Sequence, residues 1–536
     1  MMKKTLILGL GLLGLAGSAA AQGLKSGPYD LPYKNTYVKE VFVAENEFRT
    51  ARPECLEPRS FDEARRILPA PIWEGHAREI DMYWHAWRLA VGNIRQPQAG
   101  SGFVSPYLDV AYNGNIFMWD TSFMMMFARY GYRFFPFQRS LDNFYAKQHP
   151  DGFICREIRA DGSDCFERFD PTSTGPDLLP WVELTYYRQF GDIDRLHRIF
   201  PALCAYAKWW KLNRTWPNGT YWSSGWGTGM DNLPRVPEVY NPIFSNGHME
   251  WLDANLQQML VNESLLGIGF YIERWQEIEE VEDENRFLKR HINECMWDER
   301  EGFLFDRFAD GSLGTAKGVH AYWALQTDAL ERDRLDRLVA HLRDTTEFDR
   351  PHRVPSLAAD HRKYNDAGRY WQGGVWPGTN YMIIDGLWRK GYRDLAQRIA
   401  ENHYAAVFEV WKKSGTFWEY YAPERIEPGF MARKDFVGWT GLPPIAVFIE
   451  YVLGIQSDYS QRRIEWHLTH TEMHGIERYP FGPDGVVGLK VRRRASGDET
   501  PQVSVETDVP FELTVTWGDG RSRTVQVERS GNVKLD

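Results

Sequence analysis

Residues 177–213 read DLLPWVELTYYRQFGDIDRLHRIFPALCAYAKWWKLN, and this stretch sets the architecture. On both sides of Gly191-Asp192, apolar side chains recur three and four positions apart, the spacing that gives a helix one buried face. Two helices joined by so short a turn run antiparallel. The pattern extends outward from about Ile72 to Ile455. It predicts helices near 72–93, 117–134, 137–147, 177–190, 194–213, 249–271, 277–297, 317–330, 332–344, 376–391, 392–413 and 438–454. The expectation is a mainly α fold, about twelve helices paired as six hairpins and closed into an (α/α)6 barrel. An open helical solenoid also stacks hairpins, but no short motif repeats at a fixed period.

Between the hairpins lie long connections rich in Gly and aromatic residues, at 149–176, 214–248, 298–316, 345–375 and 414–437. Loops of that length in a compact domain are usually functional. On a ring of inner and outer helices they gather at one end and build a pocket. The barrel is expected over 60–456, and the pattern then changes. Runs such as 487–491, 502–505 and 511–517 alternate apolar and polar residues between turns at Pro483-Asp484-Gly485 and Gly518-Asp519-Gly520. These predict a small C-terminal antiparallel β domain over 457–536, packed against the barrel.

At the other end, Lys3 and Lys4 precede an apolar run from Leu6 to Ala16 and the small residues Ala19-Ala20-Ala21. That order predicts a secretory signal peptide over 1–21, cleaved near Ala21–Gln22, with export to a periplasm or the medium. The run is too short and Gly-rich for a good membrane anchor, so no membrane insertion is expected. Residues 22–59 read as an irregular, Pro-rich segment with a strand-like run at 37–43. Export permits disulfides, and Cys155 and Cys165 flank a polar stretch they can close into a loop. Cys204 and Cys295, in helical patterns, read as buried thiols.

The net charge of −10 and the lack of a dense basic run exclude a nucleic-acid partner, which needs a cationic face. Arg492-Arg493-Arg494 reads as an exposed strand or turn. No Cys/His spacing resembles a metal site, and no cofactor is implied. Aromatic residues reach 15%, with 22 Trp; most of them read as filling a large core, and a saccharide site would draw on the same stock, because sugar rings stack on such side chains.

Breaking an acetal needs a proton for the departing oxygen and a second carboxylate, so acids set among aromatics and glycines in the loops are the candidates. Asp231 lies in Trp226-Gly227-Thr228-Gly229-Met230-Asp231-Asn232-Leu233-Pro234-Arg235. A rigid, aromatic-flanked turn desolvates a carboxyl and suits it to donate a proton, although Asp231 reads equally as a helix cap. Glu419 lies in Gly415-Thr416-Phe417-Trp418-Glu419-Tyr420-Tyr421, either a site acid or a core-edge Glu bonded to Tyr or Arg. Glu424 offers an alternative after Pro423. Asp120, in Trp119-Asp120-Thr121, sits where a helix begins and reads as a cap or as a sugar contact beside the Trp119 ring. Tyr370-Trp371-Gln372-Gly373-Gly374-Val375-Trp376-Pro377 and Gln148-His149-Pro150-Asp151-Gly152-Phe153, followed by Arg156-Glu157, complete the set.

Taken together and in this order, with Gly438-Trp439-Thr440-Gly441-Leu442, these motifs resemble the trehalase-like clan. They are most similar to glycoside hydrolase family 63 and the related mannosylglycerate hydrolases, over about 60–456. Trp297-Asp298 through Asp306 also resembles a hairpin insertion of that clan. The resemblance implies hydrolysis of an α-glycosidic bond, in an oligosaccharide or small glycoside, with inversion at the anomeric carbon. It implies Asp231 as general acid and Glu419 as general base, with Trp119, Asp120, Gln148, Trp371, Gln372 and Trp376 around the sugar and Arg235 and Glu157 as further pocket members. The turn before Trp119 lacks the Gly-Gly-Arg run of trehalases, which argues against trehalose as substrate. A non-catalytic sugar-binding protein or a polysaccharide lyase can use the same barrel. Both carboxylates are present, however, and nothing favours a lyase base.

Overall fold

The computed structural model describes residues 42–111 and 113–535. The expected leader and most of the strand-like run at 37–43 lie outside these residues. Its described end, Phe42 and Val43, enters a short 3-10 turn, Val43–Glu45.

Six helices carry the interior: Met118–Ala128, Leu179–Phe190, Leu252–Tyr271, Val319–Gln326, Pro377–Arg389 and Leu442–Val452. Each packs on the next, and the last returns to Met118–Ala128. Their composition explains the placement. Every residue of Met118–Ala128 and Leu442–Val452 is buried, as expected of helices that are mostly apolar with no polar face. Around them lie amphipathic helices. Ile193–Asn213 packs on Leu179–Phe190 and Leu252–Tyr271, Glu280–Cys295 on Leu252–Tyr271, and Arg393–Ser414 on Pro377–Arg389 and Leu442–Val452. Glu280–Cys295 buries only Val281, Leu288 and Ile292, the narrow stripe of an outer helix. The turn at Gly191 forms as its residues dictate. Gly191 takes φ +68°, and the Asp192 carboxylate caps the next helix by accepting from the Arg195 amide at 3.0 Å.

Several expected helices differ. Residues 137–147 split into a 3-10 turn, Phe137–Leu141, and a short helix, Asp142–Ala146. Val319–Gln326 is 3-10, and Leu442–Val452 is wound as a π-helix behind Pro443 and Pro444. The start of the expected 72–93 helix is a strand, Ala70–Trp73, and the helix begins at Ala77. That strand pairs with His474–Pro480 at the edge of the C-terminal sheet, where Pro71 removes no ladder bond that the sheet needs.

The C-terminal residues form two sheets. The first orders Ala70–Trp73, His474–Pro480, Val486–Val491, Val503–Thr507 and Gly531–Val533 as antiparallel neighbours. The second orders Arg521–Val527, Phe511–Trp517, Arg463–Leu468 and Ile455–Asp458. Here the wholly antiparallel expectation fails, because Phe511–Trp517 runs parallel to Arg463–Leu468. The chain passes through the first sheet between these strands, a crossover long enough to return in the same direction. Strict alternation of burial along Phe511–Trp517 shows one face against the core.

All five cysteines are free. Cys155 and Cys165 are not joined, and Cys295 is partly exposed, whereas Cys204 is buried as its helical pattern predicts. No helix among the described residues is long and apolar enough to cross a membrane.

Candidate active site

The long connections converge on a cavity of about 840 Å³ whose walls include Trp119, Asp120, Arg156, Glu157, Asp231, Tyr370, Glu419 and Arg433. Four carboxylates, Asp120, Glu157, Asp231 and Glu419, therefore reach one space from distant parts of the chain. Each is placed by a different local device.

Asp231 follows a tight turn. Ser224 caps the single helical turn Gly225–Thr228, and Gly229 ends it at φ +75°. A Cβ on Gly229 would stand 2.9 Å from the Trp119 indole, so only glycine lets this turn lie against that ring. No helix follows Asp231, which removes the capping interpretation. Asn232 ties the turn to the opposite wall: its Oδ1 accepts from the Trp371 amide at 2.8 Å and its Nδ2 donates to the Arg369 carbonyl at 3.4 Å. The Tyr370 hydroxyl donates to Asp231 Oδ2 at 3.2 Å. Burial pushes the Asp231 carboxyl up to about 7, against the Arg156 guanidinium and the Tyr370 hydrogen bond, which lower it; the Glu419 charge adds to the rise.

Asp120 lies in the first turn of Met118–Ala128, but Phe117 is the N-cap residue and no side chain caps this helix. The Asp120 carboxyl lines the cavity instead. Burial, then the Glu419 charge, holds its pKa well above the ordinary range. Just before it, Ile116–Phe117 pairs with Glu157–Ile158 and brings Arg156 and Glu157 to the same wall. Glu157 Oε1 accepts from Asn115 Nδ2 at 2.7 Å. The Arg156 Nε donates to the Thr172 carbonyl at 2.7 Å, and its guanidinium lies over Phe166 at 4.3 Å and Trp226 at 5.1 Å. A cation held this way stays near the acids without sealing them in a direct salt bridge.

Glu419 is fixed through its backbone. Its amide donates to the Arg433 carbonyl at 2.9 Å, and its carbonyl accepts from Trp439 Nε1 at 2.6 Å. Its Oε2 accepts from the Arg433 amide at 3.3 Å. Glu424, the alternative acid, is gripped by Arg350 at 2.6 and 2.8 Å and by the Tyr364 hydroxyl at 2.6 Å, away from the cavity lining.

Five expected pocket members stand elsewhere. Trp371 and Trp376 stack on each other at 4.1 Å, and Trp376 on Tyr420 at 4.4 Å. They form a buried pillar behind the wall, while Tyr420 and Tyr370 face the cavity. Gln372 donates to the Asn232 carbonyl at 3.4 Å and also lies behind the wall. Gln148 is buried, donating to the Gly152 and Ala202 carbonyls and accepting from Asn46 Nδ2. Arg235 is buried between Asp253, at 2.7 and 2.8 Å, and Asp306. It anchors the turn after Asp231 to the helix that begins at Leu252. For Gln372, Gln148 and Arg235 the cause is shared: a long polar side chain satisfies the backbone or a buried partner before it reaches the cavity.

Arg369 and Arg433 are charged lining residues that no sequence motif singled out, whereas Tyr370 and Arg156 stood in the quoted motifs without an assigned role. The backbone of Tyr370 takes φ +59°, which swings this ring, rather than Trp371, into the cavity. Such a turn has no signature in residue spacing. Among the described residues, no group of three or more His, Cys, Asp or Glu can hold a metal ion.

Residues 114–429 match the family model described as the mannosylglycerate hydrolase MGH1-like glycoside hydrolase domain. Over 281 residues the chain is 45% identical to mannosylglycerate hydrolase MGH1 of Selaginella moellendorffii, covering 42% of this chain and 55% of that protein. Over 288 residues it is 23% identical to a probable mannosyl-oligosaccharide glucosidase of Schizosaccharomyces pombe, covering 47% of this chain and 34% of that one. The chain thus spans about half of one relative and a third of the other. In fold it is similar to a GH63 mannosylglycerate hydrolase from Thermus thermophilus solved with glucose, at TM-score 0.55 and 20% identity, covering 68% of this chain and 99% of that one. The family match spans more than half of the sequence and includes Asp120, Asp231 and Glu419: the chain is a glycoside hydrolase belonging to the mannosylglycerate hydrolase MGH1-like family.

Proposed function

We propose that this hydrolase is an exported, exo-acting α-glycosidase that inverts configuration, with Asp231 as general acid and Glu419 as general base. The six mutually packed inner helices are read as the inner ring of an (α/α)6 barrel, with the outer helices as its second ring. One observation carries the assignment: the Asp231 and Glu419 carboxyls line a single cavity, and burial keeps Asp231 protonated up to about pH 7. A protonated acid can deliver its proton to the departing oxygen. Glu419, which lines the same cavity, removes a proton from a water that attacks the anomeric carbon from the other face. The carbon–oxygen bond to the leaving group breaks as the new one forms, and the sugar leaves with inverted configuration.

In this reading Trp119 supplies an apolar platform for the sugar ring, and Asp120 and Glu157 accept from its hydroxyls. The Tyr370 hydroxyl holds Asp231, and its hydrogen bond and the Arg156 charge temper the rise that burial gives to its proton affinity. The substrate is an oligosaccharide or a small glycoside; relatives named for mannosylglycerate and for mannosyl-oligosaccharides support both sizes.

The test is a panel of aryl α-glycosides and α-linked disaccharides followed by proton NMR. The sugar released first is expected as the β-anomer, with Asp231→Asn and Glu419→Gln inactive on the best disaccharide. An α-anomer as first product rejects inversion. An unsaturated, ultraviolet-absorbing product, or wild-type turnover in both variants, rejects the whole assignment.

A further inference from the structure

A second cavity of about 710 Å³ adjoins the first, and Asn113 lines both. The backbone on either side is shared as well. On the paired strands Ile116–Phe117 and Glu157–Ile158, one end presents Phe117 and Glu157 to the first cavity. Beyond the other end, Gly114 and Ala160 line the second. Likewise Arg433 lines the first, and Lys434 and Asp435, next in the chain, line the second.

The lining of the second cavity contains one group without a partner. Asp109 is 2% exposed; its Oδ2 accepts from Arg95 Nε at 3.3 Å, while its buried Oδ1 has no hydrogen-bond partner among the described residues. A buried acceptor without a donor is costly, and a ligand that donates there is favoured. The amides of Asn93, Gln98 and Asn113 also line the space. Arg95 and Lys434 oppose a bare cation, and Asp109 and Asp435 oppose an anion. An uncharged ring bearing many hydroxyls both donates and accepts and suits the whole set.

We propose that this cavity is a second saccharide subsite, holding a neutral sugar unit of the substrate remote from the scissile bond. The claim rests on the glycosidase reading of the first cavity and narrows its substrate to an oligosaccharide. Asp109 receives a sugar hydroxyl on Oδ1, and Asn113 lies between the two bound units.

Glucosyl and mannosyl α-linked di- and trisaccharides test it. For the wild-type protein the kcat/KM for a trisaccharide should exceed that of the matching disaccharide by about 10-fold, the gain expected from an additional hydrogen bond to a charged group. Asp109→Asn and Gln98→Ala should bring that ratio close to one. A wild-type ratio of one, or a ratio that both variants preserve, overturns the subsite. Titration calorimetry with the Asp231→Asn protein reads the cavity without turnover. Tighter trisaccharide binding that is lost on adding Asp109→Asn supports the subsite, and equal affinities overturn it. Length-dependent binding in a protein that cuts none of these sugars rejects the cleavage reading while the subsite stands.

Discussion

The Tyr370 hydroxyl donates to Asp231 Oδ2 at 3.2 Å from a backbone held at φ +59°. Burial and the neighbouring carboxylates keep the phenol itself protonated, so it acts as a donor. Donation favours the ionised form of Asp231, opposing the burial that raises its pKa to about 7. Tyr370→Phe removes that opposition. The alkaline limb of the kcat/KM profile should move upward by about one pH unit, the scale set by a hydrogen bond to a charge. An alkaline limb that stays in place would show that another group sets it.

Asp231 and Glu419 should differ in how their loss depends on the leaving group. With Asp231 protonated below about 7, wild-type activity should fall as pH rises through that value. Asp231→Asn should lower kcat on a disaccharide by roughly 10²–10⁴-fold, the usual worth of general acid–base catalysis. A nitrophenyl glycoside, whose phenolate departs without a proton, should lose far less. Glu419→Gln should cripple both substrates equally, because both need the attacking water. Equal losses for the two variants across both substrates would contradict the division of roles.

Gly229 joins the turn that bears Asp231 to the Trp119 ring. It sits at φ +75°, and an added Cβ would approach the Trp119 ring to 2.9 Å. Gly229→Ala should therefore carry about 1–2 kcal/mol of backbone strain and displace either the turn or the ring. The expected result is a raised KM and a lowered kcat with a folded circular-dichroism spectrum. Wild-type kinetics would mean that neither Trp119 nor the turn meets the substrate.

The helical framework was legible because its signal is distributed: eight of the eleven residues of Met118–Ala128 are apolar, and Gly191-Asp192 states its own turn. Asp231, Glu419 and Asp120, with Trp119 beside it, stood out as acids among glycines and aromatics, the family resemblance gave them roles and added Glu157, and all five line one cavity. Residues whose role depends on a long-range partner were not legible. Ala70–Trp73 becomes a strand only when His474–Pro480 arrives beside it. Trp371 and Trp376 resembled pocket walls, yet their flat faces satisfy one another in a stack at 4.1 Å, and the smaller neighbour Tyr370 takes the exposed place. Spacing reports which face of an element is apolar; it does not report which of two adjacent rings a positive φ will turn inward.

Arg235 supplies the sharpest contrast between a site residue and a supporting one. The sequence placed it in the pocket, four positions after Asp231. The structure buries it between Asp253 and Asp306, and the Asp306 carboxylate also accepts from the Leu252 amide at 2.9 Å. Arg235→Met keeps the bulk but leaves two buried acids without their cation, a loss of about 3–5 kcal/mol in comparable buried pairs. The unfolding midpoint in denaturant should fall, and Arg235→Lys should recover only part of it, since an ammonium cannot bridge both carboxylates with the same fork. At temperatures where Arg235→Met remains folded, KM should change little. An unchanged midpoint accompanied by a large rise in KM would reverse this conclusion and return Arg235 to the substrate.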